Sequence, residues 1–297
     1  METGSKILII GQSEMIKSAL LNRLNSGGFS NVKVSDSLEP DEKPDYIFFT
    51  EWVGGIMANL KFTAEMMYNL TNLEMNVIED ARKAGVKKML FLARSCVYPK
   101  DCPQPMKEEH ILTGELDAST EPSAIATLWG IKMCQFYNRQ YGTNFIVAVP
   151  TGVYGPKDDF DLQTSHVLPA LIRRFHEAKV ASSPSVILWG SGNPRREWLY
   201  VDDLADALVF LMENYDNLEV INIGVGDDLR IKDMADVISK IVRYEGKIAY
   251  DISKPDGAMR KRLDNSKLKK LGWEPKILFT EGINRTYDWF CKEGMSL

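Results

Sequence analysis

The chain has 297 residues, 44% of them hydrophobic and 26% charged, with a net charge of −5. That is enough apolar material for a substantial core, as one large domain or a large lobe with a smaller one, and the mild, scattered charge argues against a nucleic-acid groove or a polybasic membrane patch. The four cysteines, Cys96, Cys102, Cys134 and Cys291, show no metal-ligand spacing, and no signal peptide or long apolar run is present, which points to a reduced, cytoplasmic setting without a metal site.

The opening KILIIGQSEMIKSALLNRL reads as a buried strand, a turn at Gly11 and an amphipathic helix, the start of a dinucleotide-binding unit. A GxxGxxG pattern would continue with glycines at 14 and 17, where this chain has Glu14 and Lys17. Glu14 brings bulk and a like charge to the place where a helix N-terminus greets a pyrophosphate. The second strand, NVKVSD, ends at Asp36, a candidate ribose-binding carboxylate, and the apolar run PDYIFFT begins at Pro44. Seven residues between them are too few for a helical crossover, so the helix between the second and third strands is expected to be missing. The cofactor site, reduced to Gly11 and Asp36, is expected to bind NAD or NADP weakly or not at all.

A long helical pattern over Phe62 to Ala84 precedes MLFLA, a buried parallel strand that delivers Arg94, Ser95 and Cys96 to its C-terminal end. In open α/β sheets that edge is where ligands bind. The helix EPSAIATLWGIKMCQFYNRQYG follows, with Ser123 and Thr127 one turn apart on one face. After the strand NFIVAVP comes TGVYGPKDDFD, a loop rich in turn residues. SHVLPALIRRFHEAK reads as a helix beginning near Ser165, with His166 in its first turn, and VILWGSGNPRREWLYVDDLADALVFLME as strand, Gly-rich turn, strand and capped helix. The expected fold is a doubly wound, mostly parallel α/β sheet over 1–150, to which later segments contribute, with a smaller substrate lobe over 151–297.

The segments RSCVYPK, EPSAIAT, GIKMCQFYNRQYG, PTGVYGPKDDFD, SHVLPALIRRFHEAK, WGSGNPRREWLYVDDLA and KPDGAMRKRLDNSKL, in that order, resemble the GDP-L-fucose synthases. These are epimerase-reductases of the extended short-chain dehydrogenase family that act on GDP-4-keto-6-deoxy-mannose. The resemblance implies a homodimer and places the family's catalytic Ser, Tyr and Lys on Arg94, Ser123 and Thr127, so the hydride-transfer triad is missing. It places the epimerisation pair on Cys96 and His166 and the nucleotide-sugar contacts on Arg174, Trp189, Arg196 and Lys261, all of which are kept.

The residues themselves agree with that division. A 4-keto group acidifies the protons on neighbouring ring carbons, and inversion needs a base on one face and an acid on the other. Thiol and imidazole, with unperturbed pKa values of about 8.5 and about 6.5, both exchange protons near neutrality. Arg94, two residues before Cys96 on the same side of its strand, is a candidate cation for the intervening enolate. Arg174, Arg196 and Lys261 come from distant segments and suit a pyrophosphate, while Trp189 can cover a base or sugar. The leading expectation is therefore a GDP-4-keto-sugar epimerase, acting at C3, C5 or both without hydride transfer and without a nicotinamide cofactor. One alternative is a non-catalytic nucleotide-sugar-binding protein or partner of an active homologue. The other is an NADP-dependent reductase with displaced residues, for which Tyr98 and Tyr154 are the nearby phenols.

Overall fold

Aliphatic runs buried on both faces build the central layer, as parallel strands sandwiched by helices require. The computed structural model describes residues 1–39, 41–51, 56–254 and 256–294. Strand β1 (Ile7–Ile10) is followed by helix α1 (Glu14–Ser26), β2 (Val32–Ser35), β3 (Tyr46–Phe49), α2 (Ile56–Lys61), α3 (Thr63–Ala84) and β4 (Lys88–Leu92). A 3-10 turn at Ser95–Val97 and another at Glu108–His110 lead to α4 (Glu121–Tyr141), β5 (Phe145–Pro150), β6 (Gly152–Tyr154) and α5 (Val167–Val180). Then come β7 (Ser185–Trp189), β8 (Arg195–Arg196), β9 (Trp198–Tyr200), α6 (Val201–Asn214), β10 (Ile221–Ile223) and β11 (Leu229–Arg230). The chain ends with α7 (Ile231–Val242), β12 (Lys247–Asp251), β13 (Arg260–Lys261), α8 (Ser266–Lys270) and α9 (Phe279–Lys292).

The main sheet has the order β10-β5-β4-β3-β1-β2 and is parallel throughout. The fold class is thus the doubly wound α/β sheet. Among the described residues no helix lies between β2 and β3, as the short spacing requires. Strand order reverses beside β1, so the crevice at the C-terminal ends of β1 and β3 is the natural ligand edge. One face of the sheet is closed by α1 and α6, where Met15, Leu20, Leu204 and Leu208 are buried. The other is closed by α3 and α4, through Val77, Ile78, Ile131 and Cys134 on Phe91 and Val147. A third cluster joins α5, α7 and α9 around Phe175, Ile238 and Phe290 and holds the small β12-β7 sheet in place. Each such buried side chain contributes roughly 1.5–3 kcal/mol of transfer free energy.

Helices α3 and α4 approach closely because residue 130 is glycine: a Cβ there would stand 2.8 Å from Glu74 Oε2 and from the Phe91 ring. Three expectations shift. The turn-rich stretch after β5 contains β6, paired in parallel with β9, because Val153 and Tyr154 point into the core. Helix α5 starts at Val167, which moves His166 from the first turn to the N-cap. No side chain caps α6; its first-turn Asp203 instead accepts the Lys276 and Ile277 amides at 3.1 and 2.9 Å, tying the C-terminal segment to the sheet.

Candidate active site

The C-terminal end of β4 brings four of the singled-out residues together. Arg94 prolongs the strand and opens the 3-10 turn, so Cys96 lies in that turn and not on the strand face assigned to it from the sequence. The Arg94 guanidinium is buried: its Nε donates to Thr127 Oγ1 at 2.7 Å and its Nη2 donates to the Glu74 carboxylate in an ion pair. Thr127 Oγ1 in turn donates to the Ser123 carbonyl at 2.7 Å. Ser123 is buried, its hydroxyl 2.8 Å from Asn59 Oδ1, 3.0 Å from the Thr120 carbonyl and 3.7 Å from Cys96 Sγ. A hydroxyl has one proton and faces two oxygen acceptors, so the thiol is the donor to it.

Burial pushes the half-buried Cys96 thiol up; Arg94, the Ser123 contact and Lys261 act against it. Lys261 links this cluster to the small sheet of β11, β8 and β13. It sits on β13, in register with Arg196 on β8, and its ammonium stands 3.7 Å from Asp117 Oδ2. Burial raises Asp117, and bonds from Ser119 together with Lys261 outweigh it, so the carboxyl lies below its usual range. Arg196 donates from Nη1 to the Ala258 and Arg195 carbonyls at 2.6 and 2.8 Å. Desolvation lowers its pKa, and Asp117 and Asp256 oppose that. Cys96, Lys261, Asp117 and Arg196 therefore share one electrostatic neighbourhood. Trp189 is 61% exposed at the end of β7 with the Lys254 ammonium 5.6 Å from its ring centroid, an open aromatic face with a cation beside it. His166, half-buried, is delivered to the N-cap of α5 by the turn in which Asp161 accepts the Gln163 and Thr164 amides at 2.7 and 3.2 Å. Arg174 is half-buried about two turns further along the same helix.

The two phenols singled out as displaced acids are committed elsewhere. Tyr98 is buried and donates to Asn222 Oδ1 at 2.6 Å, and Tyr154 is buried and donates to the Phe279 carbonyl at 3.2 Å; burial raises both hydroxyls far above neutrality. A cavity of about 430 Å³ opens beside Arg196, lined by Trp198, Val225, Asp228 and Phe279; neither Cys96 nor Ser123 lines it.

At the switch point Gly11 has a φ of 151°, and a Cβ there would meet the Thr50 carbonyl at 2.8 Å, so the first turn lies tight against the end of β3. Ser13 caps α1 by accepting the Ile16 amide at 3.4 Å. Lys17, with 12% of its side chain exposed, reaches Glu14 at 2.7 Å and Asp36 at 3.8 Å. Glu51, buried beyond β3, accepts the Gln12 amide at 3.2 Å; burial raises its carboxyl, with Arg94 the main opposing influence. A turn closed by glycine, a capped helix N-terminus and one lysine suit a diphosphate, and Asp36 stands at the ribose end. Protonation of Glu51 would remove the negative charge that accepts the Gln12 amide in that turn.

A model of the NAD dependent epimerase/dehydratase family matches residues 13–224. The chain belongs to that family. It is 44% identical over 310 residues to a probable GDP-L-fucose synthase 1 of Oryza sativa subsp. japonica, covering 99% of this chain and 94% of the relative. Among solved structures it is similar to a GDP-6-OMe-4-keto-L-xylo-heptose reductase from C. jejuni, at 33% identity and a TM-score of 0.93, covering 99% of both chains. It is also similar to MlghC, a GDP-mannoheptose C4 reductase from Campylobacter jejuni with NADP bound, at 34% identity and a TM-score of 0.88, covering 98% of this chain and 99% of that one. The resemblance to GDP-L-fucose synthases thus extends over the whole length. The expectation of no nicotinamide cofactor is corrected: the family is NAD dependent, and a relative at this similarity was solved with NADP bound. The expectation weighed the missing glycines and gave too little to the turn and helix N-terminus, which remain in place.

Sequence reading missed Glu74, Asp117 and Glu51. For Glu74 a signal existed, because it falls on the apolar stripe Leu70, Val77, Ile78 and Ala81 of α3, where a lone carboxylate demands a partner. Asp117 and Glu51 lie in irregular segments without any periodic pattern.

Proposed function

We propose that this protein binds a GDP-linked 4-keto sugar with a nicotinamide beside it, moves protons at the carbons flanking the keto group through Cys96, and completes the reaction as an NADP-dependent epimerase-reductase. The names of two relatives support the substrate class, since both specify a GDP-sugar and one a 4-keto sugar. The single observation that carries the reading is the pairing of β13 with β8, which sets Lys261 in register with Arg196, and the Lys261 charge acts against the burial that raises the Cys96 thiol.

Arg196, Lys261 and Arg174 hold the diphosphate in this reading, and Trp189 covers the base. Cys96 takes or gives the proton on one ring face and His166 on the other, each being able to exchange it near neutral pH. The Gly11 turn, the α1 N-terminus and Lys17 would hold the diphosphate of a dinucleotide, with Asp36 at its ribose, and the bound nicotinamide would supply hydride. In this reading Ser123, in contact with the Cys96 thiol, hydrogen-bonds the keto oxygen, and the thiol supplies the proton that the oxygen takes on reduction.

A second reading, epimerisation without hydride transfer, is favoured by one observation. Ser123 and Thr127 offer neither phenol nor ammonium, and Arg94 is engaged by Glu74 and Thr127. NADPH absorbance followed with GDP-4-keto-6-deoxy-mannose separates the two. Stoichiometric oxidation is expected; sugar epimerised with no NADPH consumed would replace the first reading with the second. GDP binding without any change in the sugar would sink both.

A further inference from the structure

The Gly11 turn already holds an anion of its own. Glu51 is 3% exposed, and its Oε2 accepts the Gln12 amide at 3.2 Å. It is held in place by its neighbour: Thr50 donates from its amide and its hydroxyl to the Ile10 carbonyl, at 2.8 and 3.2 Å, and a Cβ on Gly11 would collide with the Thr50 carbonyl. The ends of β1 and β3 are thereby locked together, with the carboxylate bonded into the turn. A backbone amide at the start of a helix is what a dinucleotide diphosphate uses, and here a buried side chain of the same sign is bonded to it. The surrounding charge sharpens the conflict. Lys17 is shared with Glu14 and Asp36, at 2.7 and 3.8 Å, so an incoming diphosphate meets Glu14, Asp36 and an ionised Glu51 beside that one ammonium of α1. Arg94, which follows β4, also acts on Glu51, but its charge is paired with the Glu74 carboxylate of α3.

We propose that Glu51 is a proton-operated gate on dinucleotide binding: ionised, it occupies the Gln12 amide and repels the diphosphate, and it takes up a proton as the diphosphate binds. The inference rests on the reading that a nicotinamide dinucleotide binds at the Gly11 turn. Protonation changes two things at once. It removes a like charge from a buried position, where repulsion is strongest, and it turns one carboxyl oxygen into a donor able to bond a phosphate oxygen. Burial already raises this carboxyl and Glu74 adds to the rise, while Arg94, the Gln12 amide and Lys17 act against it. The diphosphate raises it further, because a second anion disfavours the ionised form. Binding is therefore linked to proton uptake. Affinity falls as pH rises from the pKa of the free carboxyl to that of the ligand-bound one, by up to about tenfold per pH unit.

The test is calorimetric titration with NADPH, without sugar, in buffers of different ionisation enthalpy, which counts the protons exchanged on binding, repeated across pH. Glu51→Gln keeps an acceptor oxygen for the Gln12 amide and cannot ionise. Wild-type protein is expected to take up as much as about one proton more per site than this variant. Comparing the two proteins cancels the protons that the cofactor's own 2′-phosphate exchanges. Near pH 8 the variant should bind NADPH about tenfold or more tighter than wild type, and the two affinities should converge as pH falls. Should Glu51→Gln fail to fold, Glu51→Ala removes the same charge and takes its place. Equal affinities and equal proton counts in the two proteins, or weaker binding by the variant, overturn the proposal and leave the cofactor reading standing. NADPH that binds neither protein at any pH overturns the cofactor reading, and the gate with it.

Discussion

Two parts of the site pair arginine or lysine with a carboxylate, and they do so in opposite ways. Under α3 and α4, Arg94 and Glu74 are 4% and 0% exposed by side chain, and the cation is consumed inside the protein. Across β8 and β13, Lys261 and Asp117 are 31% and 27% exposed at 3.7 Å, and Arg196 rests on backbone carbonyls. A loose, half-open pair releases its cation to an incoming diphosphate at little cost, and a sealed one cannot. Arg94, Ser123 and Thr127 therefore surround a charge that has been internalised, whereas Lys261 and Arg196 lie where charge is still available to a ligand.

The largest expected effect comes from breaking the sealed pair. Arg94→Ala leaves a carboxylate buried without its partner and should cost about 3–5 kcal/mol in urea unfolding. Lys261→Ala should cost less than about 1 kcal/mol in the same experiment. Near-equal costs would erase the contrast. Gly130→Ala probes the same contact from its other side: a Cβ 2.8 Å from Glu74 Oε2 and the Phe91 ring should destabilise by about 1–3 kcal/mol.

For the open region the readout is binding. Arg196→Ala should weaken GDP by about tenfold or more in calorimetry while the unfolding midpoint shifts far less than in Arg94→Ala, because charge-assisted contacts of this kind are worth about 1.5–3 kcal/mol. Unchanged GDP affinity would mean that Arg196 serves the β8–β13 sheet and not a ligand.

A smaller effect sharpens the comparison with a third buried acid. Asp158, in the loop after β6, is pushed up to about 8 by burial, and only its Oδ1 is bonded, accepting the Asp159 amide at 2.8 Å. Its folded value lies above the ordinary 3.8, so the folded state holds the extra proton between those limits. The stability it brings is complete below about pH 4 and is lost as pH rises towards 8, at up to about 1.4 kcal/mol per pH unit. Asp158→Asn should flatten that part of the melting-temperature profile. An unaltered slope would show that the carboxyl is ionised in the folded protein.

Much of the scaffold was legible because it depends on local pattern. The runs ILII, MLFL and FIVAV are apolar at every position, as strands buried on both faces must be, and the short spacing from Asp36 to Pro44 left no room for a crossover helix. Strand β6 was not legible, since three residues amid turn formers carry no period. The site divided along the same line. Positions at or just beyond regular elements, such as Cys96 after β4 and Arg196 on β8, could be singled out from the pattern, whereas the environment of Arg94 depends on a glutamate 20 residues earlier in sequence and on the close approach that Gly130 allows. Cofactor binding was misjudged for a related reason: glycine spacing is visible in the sequence, but the capped α1 N-terminus behind it is a property of the folded turn.

Proton exchange into the sugar tests the central claim most directly. Incubated in heavy water with GDP-4-keto-6-deoxy-mannose, the protein should place deuterium at C3 or C5, as read by mass spectrometry and NMR. Cys96→Ser should slow this by about 100-fold or more, because a serine hydroxyl cannot release a proton near neutral pH. Wild-type protein that incorporates no more deuterium than a protein-free control, across several GDP-4-keto sugars and with NADPH present, would contradict the account.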